Sequence, residues 1–498
     1  MGVLSDLEPT RVFYYFEEIC KIPHGSYHER AISDYLTDFA KEHGFQVYQD
    51  HLYNVVMLVP ASDGYEQEEP VILQGHMDMV CEKSADASID MEKEGLTLMV
   101  EGDYVSAKDT TLGGDDGIAL AYMLAIAESK DIAHPPLELV FTVSEEVGME
   151  GASGIDLSML KGHCMLNLDS EEEGVFLSSC AGGLSTCSRL PVEWEKSPEV
   201  LWYEISVSGL LGGHSGCEID KGRANANKIL GRVLNELKSR VHFYLSGMDG
   251  GKKENAIPLR ASAVLGMTEE EAITAKETVR ELNEVLKAEY GRTDAGITLG
   301  IKSLPLEKAG GQGKEAVPQK VLQRRQVLDR VSLSKVITLL MTLPDGVQGM
   351  SMSVPGLVET SLNLGIMRLT EECLIMQHAV RSSVTTKKHY VAAQVESLVS
   401  ELGGKVERKG EYPAWEYREE SVVRPKIISL YEKMYGKEPV VEGIHAGLEC
   451  GLLAGKIKDL DCIAMGPDIL DIHTTAERLS ISSTKRVYEF LLAFLRQK

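Results

Sequence analysis

Five side chains of metal-binding type occur along the chain in the order His76, Asp115, Glu146, Asp169 and His473. They stand in the segments QGHMDMV, LGGDDGIA, TVSEEVGMEG, LNLDSEE and DIHTTAE. A mixed imidazole and carboxylate set suits zinc or a similar divalent ion. Five donors exceed what one tetrahedral zinc can use. Two ions sharing a carboxylate would use them all, and a paired centre clamps a hydrolytic water and a carbonyl oxygen together. Four of the five follow an apolar run that reads as a buried strand, and open α/β sheets build their sites at the carboxyl ends of strands.

Each segment also carries a plainer reading. His76 and Asp78 are two apart on an extended stretch, so they point the same way. Asp78 can then hold the far ring nitrogen of His76 and fix its tautomer, or simply be a solvated strand-end acid. In GGDDG the two acids fit a helix N-cap, while the flanking glycines also permit the constrained backbone that a bridging Asp115 needs. Glu145 and Glu146 follow a buried strand, where two adjacent carboxylates without a cation are costly. Their side chains diverge, which assigns Glu146 to metal and Glu145 to general base. Asp169 alone reads as part of an acidic loop, and His473 is one of thirteen histidines. His214 in GGHSG has glycines that let a ligand approach, where an imidazole could stabilise an oxyanion; a turn histidine is the alternative.

The elements that must position these residues alternate. Residues 9–45 read as helices, with Pro9 opening the first and Gly44 closing the second. VYQDHLYNVVMLVP reads as a strand pair. Strands follow at 71–74, 137–143 and 163–168, with a helix at 118–129 between them. Such alternation suggests an α/β fold with a mostly parallel central sheet. The texture changes near residue 190. From there to about 415 the strands alternate apolar and polar residues, as in SLNLGIMRL and CLIMQHAV. Helices are expected at 222–240, 268–290 and 388–402, an α+β pattern with a half-exposed antiparallel sheet. Residues 305–330 read as a mobile connection. After about 416 a helix at 425–435 and a strand at 461–467 lead to His473. The simplest organisation is a catalytic domain in two parts, 1–190 and 416–498, split by an inserted domain at 191–415.

Composition narrows the function classes. At 498 residues, with 43% hydrophobic and 26% charged side chains, the chain is globular and too long for one core. A formal net charge of −25 disfavours nucleic acid and anionic membrane surfaces. Nine cysteines without a CxxC pair point to reduced thiols and a cytoplasmic setting. The first residues lack a signal-peptide pattern. The longest apolar stretch, 117–127, falls short of the ~20 residues of a membrane span.

Taken together, HMDMV, GGDDG, SEEVGMEGA, LNLDSEE, GGHSG and the late His473 resemble the di-zinc peptidases related to glutamate carboxypeptidase. GLVETSLNLG and HAGLECG narrow the resemblance to the aminoacyl-histidine dipeptidases, also called cytosolic nonspecific dipeptidases, over essentially the whole chain. The resemblance implies a zinc-peptidase-like catalytic domain interrupted by an α+β lid and dimerisation domain. It implies that His76 and Asp169 hold one metal, Glu146 and His473 the other, and that Asp115 bridges them. Asp78 would orient His76, and Glu145 would be the base. A cis peptide is implied after the bridging Asp, between Asp115 and Asp116. His214 matches an oxyanion-stabilising lid residue, and Asn255 and Arg381 match positions that hold the substrate's backbone and carboxylate. Asp116 departs from the Asn commoner in relatives and adds negative charge near the metals.

The expected activity is metal-dependent hydrolysis of dipeptides with a free N-terminus, Xaa-His and β-alanyl-histidine among them. The expected cofactors are two divalent ions, zinc first, with manganese or cobalt fitting the same donors. The expected partners are a small peptide substrate and a second copy of the chain through the lid, with neither nucleic acid nor membrane. The rivals are an N-acyl amino acid deacylase on the same scaffold and a noncatalytic metal-binding protein, which would have no need of Glu145.

Overall fold

The computed structural model describes residues 2–305 and 326–497. These form two compact units: Met1–Cys180 with Tyr417–Gly443 and Leu448–Lys498, and Ala181–Glu416 with Ile444–Gly447. Each has its own apolar core. The first break falls before Gly182–Pro191, because that strand is continuous with the sheet of the second unit. The change of texture near 190 coincides with the end of this strand.

The first unit is built on an eight-stranded sheet with the spatial order Gln46–Gln49, Val55–Val59, Leu137–Thr142, Val71–His76, Cys164–Asn167, Asp461–Ala464, Val175–Cys180 and Val440–Ile444. Its centre is parallel. Val71–His76 pairs Leu137–Thr142 from Val71↔Leu137 to His76↔Thr142, and it pairs Cys164–Asn167 with Gln74 opposite Asn167. Cys164–Asn167 pairs Asp461–Ala464 in parallel as well. The margins are antiparallel, so the sheet is mixed. Four parallel strands bring their carboxyl ends, and the loops that follow, to one edge of the sheet.

The helix Gly114–Glu128 is buried along almost its whole length, consistent with the uninterrupted apolar run GIALAYMLAIA. Each large side chain it removes from water contributes roughly 1.5–3 kcal/mol. Tyr122 keeps its hydroxyl satisfied by donating to the Thr484 carbonyl at 2.9 Å, and its ring stacks on Tyr488. The helices Thr10–Cys20 and Arg30–Glu42 stand where the sequence spacing places them.

In the second unit the described residues form a nine-stranded antiparallel sheet, with helices Ala226–Arg240, Glu269–Tyr290, Arg330–Thr342 and Thr385–Glu401. Asn225 caps the first of these through its side chain, so the helix begins later than residue 222. Thr268 and Glu271 form a reciprocal capping box at the second. The connection expected at 305–330 lies mostly outside the described residues. Its last part is ordered: Gln326–Leu328 pairs Trp194–Lys196, and Asp329 caps the helix that follows.

Candidate metal centre

His76 ends its strand with the side chain only 1% exposed. Its Nε2 lies 3.0 Å from Asp115 Oδ1 and 3.7 Å from Asp169 Oδ1. The other oxygen of Asp115, Oδ2, lies 3.1 Å from His473 Nε2, which is also 2.8 Å from Glu146 Oε1. One carboxylate therefore faces two imidazoles with separate oxygens. His76, Asp115 and Glu146 form one candidate ligand group, and His76, Asp116 and Asp169 form a second. All five sequence-predicted ligands are brought together, and Asp116 joins them.

The backbone around them is specialised. The peptide between Asp115 and Asp116 is cis, as the resemblance implied. Gly113 adopts φ +68°, and His473 itself adopts φ +59°. A left-handed non-glycine residue costs of order 1–3 kcal/mol and persists where surrounding structure imposes it. Gly75 is required by close approach: a Cβ there would lie 2.5 Å from Asp116 Oδ2. Asp116 also accepts the His76 main-chain N–H at 3.2 Å.

Asp78 does more than the H-x-D spacing suggested. The nearest group to His76 Nδ1 is the main-chain carbonyl of Asp78 at 2.9 Å, with the carboxylate farther away at 3.5 Å. The carboxylate instead accepts the main-chain N–H groups of Glu145 and Glu146 at 2.9 and 3.3 Å and the Ser26 hydroxyl at 2.8 Å.

Several supporting residues were not singled out from sequence. Glu477 accepts the N–H groups of Leu112, Gly113 and Gly114 at 2.7, 3.1 and 2.8 Å, holding the turn that leads to Asp115. Glu449 is fully buried beside Gln74 and Thr142. Glu171 is pushed up to about 7 by burial and by Asp115 and Asp169.

The electrostatics describe a pocket short of positive charge. Burial opposes a charged His76, yet Asp169, Asp115 and Asp78 outweigh it and raise its pKa well above the usual imidazole value. Hydrogen bonds to Asp115 and Glu146 push His473 up to about 10. Burial raises the carboxyls of Glu145, Glu146 and Asp116, with neighbouring acids adding to each shift. So many carboxylates beside two imidazole nitrogens match the hard and borderline donors that divalent zinc, manganese or cobalt take, and a cation would relieve their repulsion. The donor set therefore fits a metal.

The remaining predicted residues lie in the second unit. His214 sits on a short strand, Gly213–His214, paired with Ala256–Ile257, and its Nε2 is 3.5 Å from an Arg381 guanidinium nitrogen. Burial and that guanidinium lower the His214 pKa. Arg381 also donates to the Tyr412 hydroxyl at 2.8 Å. The main-chain carbonyl of Asn255 accepts the Ser215 N–H at 2.9 Å, so the Asn255 and His214 loops are tied together.

With that geometry established, comparison with known proteins defines the class. Residues 205–294 match the peptidase dimerisation domain of the M20 peptidases. The chain is 35% identical over 498 residues to the cytosol non-specific dipeptidase of Escherichia coli K12, covering 100% of this chain and 99% of the relative. It superposes on the crystal structure of aminoacylhistidine dipeptidase from Vibrio alginolyticus with a TM-score of 0.90 and 34% identity, over 99% of this chain and 97% of that one. The aminopeptidase PepT structure from Bacillus cereus shares the fold at a TM-score of 0.55 and 15% identity, over 98% of both chains. The fold is that of an M20 peptidase, and the chain is a hydrolase of peptide bonds. The chain belongs to the family of the cytosol non-specific dipeptidase. The expected α/β architecture with an inserted dimerisation domain is borne out.

Proposed function

We propose that this chain is a metal-dependent dipeptidase acting on dipeptides with a free N-terminus, Xaa-His and β-alanyl-histidine among them. The observation that carries the reading is Asp115, whose two oxygens face His76 and His473 separately. In this reading His76 and Asp169 would hold one divalent ion, Glu146 and His473 would hold a second, and Asp115 would serve both. Zinc is the first choice, with manganese and cobalt compatible with the same donors. Such ions, when bound, supply Lewis-acid polarisation of the peptide carbonyl and acidify water.

The chain's own residues do the rest. Glu145 takes the proton of the attacking water and returns it to the leaving amine, the work of a carboxyl whose pKa burial raises above the usual carboxylate range. Asp78 holds the Glu145 and Glu146 main chain, so that one side chain serves as base and the other as ligand. The forked guanidinium of Arg381 suits a substrate carboxylate. Asn255 is assigned to the substrate backbone, and His214 to the developing oxyanion.

The catalytic domain is proposed to comprise residues 1–190 and 416–498, and residues 191–415 to form a lid that also joins two copies in a homodimer. The match to a peptidase dimerisation domain supports this. A cytoplasmic setting is supported by nine cysteines without a CxxC pair. The net charge of −25 fits a protein without nucleic-acid or membrane partners.

The test is hydrolysis of β-alanyl-histidine and a standard Xaa-His dipeptide beside their N-acetylated forms. Cleavage confined to the free-amine peptides, lost with a chelator and restored by zinc or manganese, is expected. Cleavage of only the acetylated peptides would replace the reading with a deacylase.

A further inference from the structure

Beneath the metal ligands lies a buried polar layer that hydrolysis itself does not use. Gln74, Thr142, Asn167 and Glu449 are each fully buried. Gln74 Nε2 and Thr142 Oγ1 both donate to Glu449 Oε2 at 2.6 Å. Gln74 Nε2 also lies 3.2 Å from Thr142 Oγ1, and Asn167 Nδ2 donates to Gln74 Oε1 at 2.7 Å. The other oxygen of Glu449, Oε1, has no partner.

The position of this layer is informative. Gln74 stands two residues before His76, on the same face of its strand. Asn167 stands two residues before Asp169, and Thr142 three before Glu145. Their strands are neighbours in the parallel centre of the sheet, with Gln74 opposite Asn167 and His76 opposite Thr142. Glu449 arrives from the far end of the chain as the first residue of the helix Glu449–Lys456. A sheet that needed only packing would fill these sites with apolar side chains, as it does at Leu73, Phe141 and Leu166. A buried carboxylate with one oxygen unpartnered is costly instead.

We infer that Glu449 is a positioning residue: it fixes the strands that carry His76, Glu145 and Asp169, so that their side chains converge on a metal. The inference rests on the metal-centre reading above. A one-residue slip turns every side chain of a strand to the other face. A single acceptor shared by donors from two neighbouring strands, and linked through Gln74 to a third, holds all three in step. The final segment of the chain thus contributes to the centre through Glu449 as well as through His473.

The test is zinc affinity of the full chain, measured by competition with a chromophoric chelator, for wild type, Glu449→Leu, Glu449→Gln and Thr142→Val. The amide oxygen of Glu449→Gln accepts both hydrogen bonds, so its affinity stays within about threefold of wild type, whereas Glu449→Leu, acting through Gln74 and Thr142, loses about tenfold, the low end of what removing a direct outer partner of a ligand costs. Thr142→Val falls between them. Excess zinc restores kcat in Glu449→Leu, with KM little changed. A folded Glu449→Leu chain with wild-type affinity would overturn the inference. So would Glu449→Gln falling as far as Glu449→Leu, since charge rather than the shared acceptor would then be the cause. If Glu449→Leu does not fold, Thr142→Val decides, and unchanged affinity there overturns the inference. A wild-type chain that takes up no zinc would remove the metal-centre reading, and this inference with it.

Discussion

The Asp78 carboxylate accepts the main-chain N–H of Glu145 at 2.9 Å and so ties the turn after one strand to the turn after its neighbour. The same carboxylate receives Glu146 N–H and the Ser26 hydroxyl. Asp78→Ala leaves these donors without an acceptor and frees the loop that bears both glutamates. A kcat loss of about 10–100-fold, with a parallel loss of metal affinity, is expected for such an outer partner. Steady-state kinetics with metal analysis of the purified variant check it.

Glu145 and Glu146 are adjacent but are assigned different work. Glu145→Gln keeps the shape and removes the base, so turnover should fall by about 10²–10⁴-fold while metal content stays near wild type. Glu146→Gln should instead reduce metal content, because Glu146 lies 2.8 Å from His473 Nε2. Elemental analysis beside kcat separates the two.

Glu477 is the sole acceptor for three consecutive N–H groups ahead of Asp115 among the contacts described. Glu477→Leu leaves these donors unpaired in a buried turn. At roughly 1–3 kcal/mol for each unsatisfied group, the loss in stability should exceed 2 kcal/mol. It should be accompanied by weaker metal binding, since Gly113 and Gly114 set the approach to Asp115. Denaturant unfolding of the metal-free variant measures the first effect apart from the second.

In the second unit, burial holds the His378 pKa down to about 3, with Lys228 nearby, while its Nδ1 lies 3.3 Å from the Thr186 hydroxyl. The folded value lies below the unfolded one, so the folded state binds fewer protons. This contribution to stability is fully present above the unfolded pKa of about 6.5 and is lost as pH falls toward 3, with a slope of roughly 1.4 kcal/mol per pH unit. Unfolding at pH 5 should thus be easier than at pH 7 by about 2 kcal/mol from this group alone. His378→Phe should flatten that difference, as read from chemical denaturation at the two pH values.

Much of the centre was legible in the residues because its ligands follow recognisable apolar runs and glycine turns. HMDMV, GGDDG and SEEVG each state a local geometry. The supporting groups were harder to read because their partners are distant in sequence. Glu477 stands four residues after His473 yet serves Leu112 to Gly114, and Glu449 serves Gln74 and Thr142. One signal was nevertheless available: the runs VILQ, LELVFTV and HCMLNL each carry one amide or hydroxyl group among mostly apolar residues. A buried polar side chain needs a partner, and these three share one network. The boundary near 190 was read from a change of texture, not from strand pairing. Strand Gly182–Pro191 is mostly buried, like the catalytic strands before it, and its pairing with Cys373–Ser382 is visible only in the structure.

Asp115, shared by His76 and His473, is proposed to lie at the heart of a metal centre on which peptide hydrolysis depends. The direct measurement is titration of chelator-treated full-length enzyme with zinc or manganese, following bound metal and cleavage of a free-amine dipeptide together. The account predicts no cleavage by the stripped chain, activity that rises with occupancy to two ions per chain, and an Asp115→Ala variant that neither retains the metal nor turns over. Full activity in a chain shown to be free of metal, or wild-type occupancy and turnover in Asp115→Ala, would contradict it.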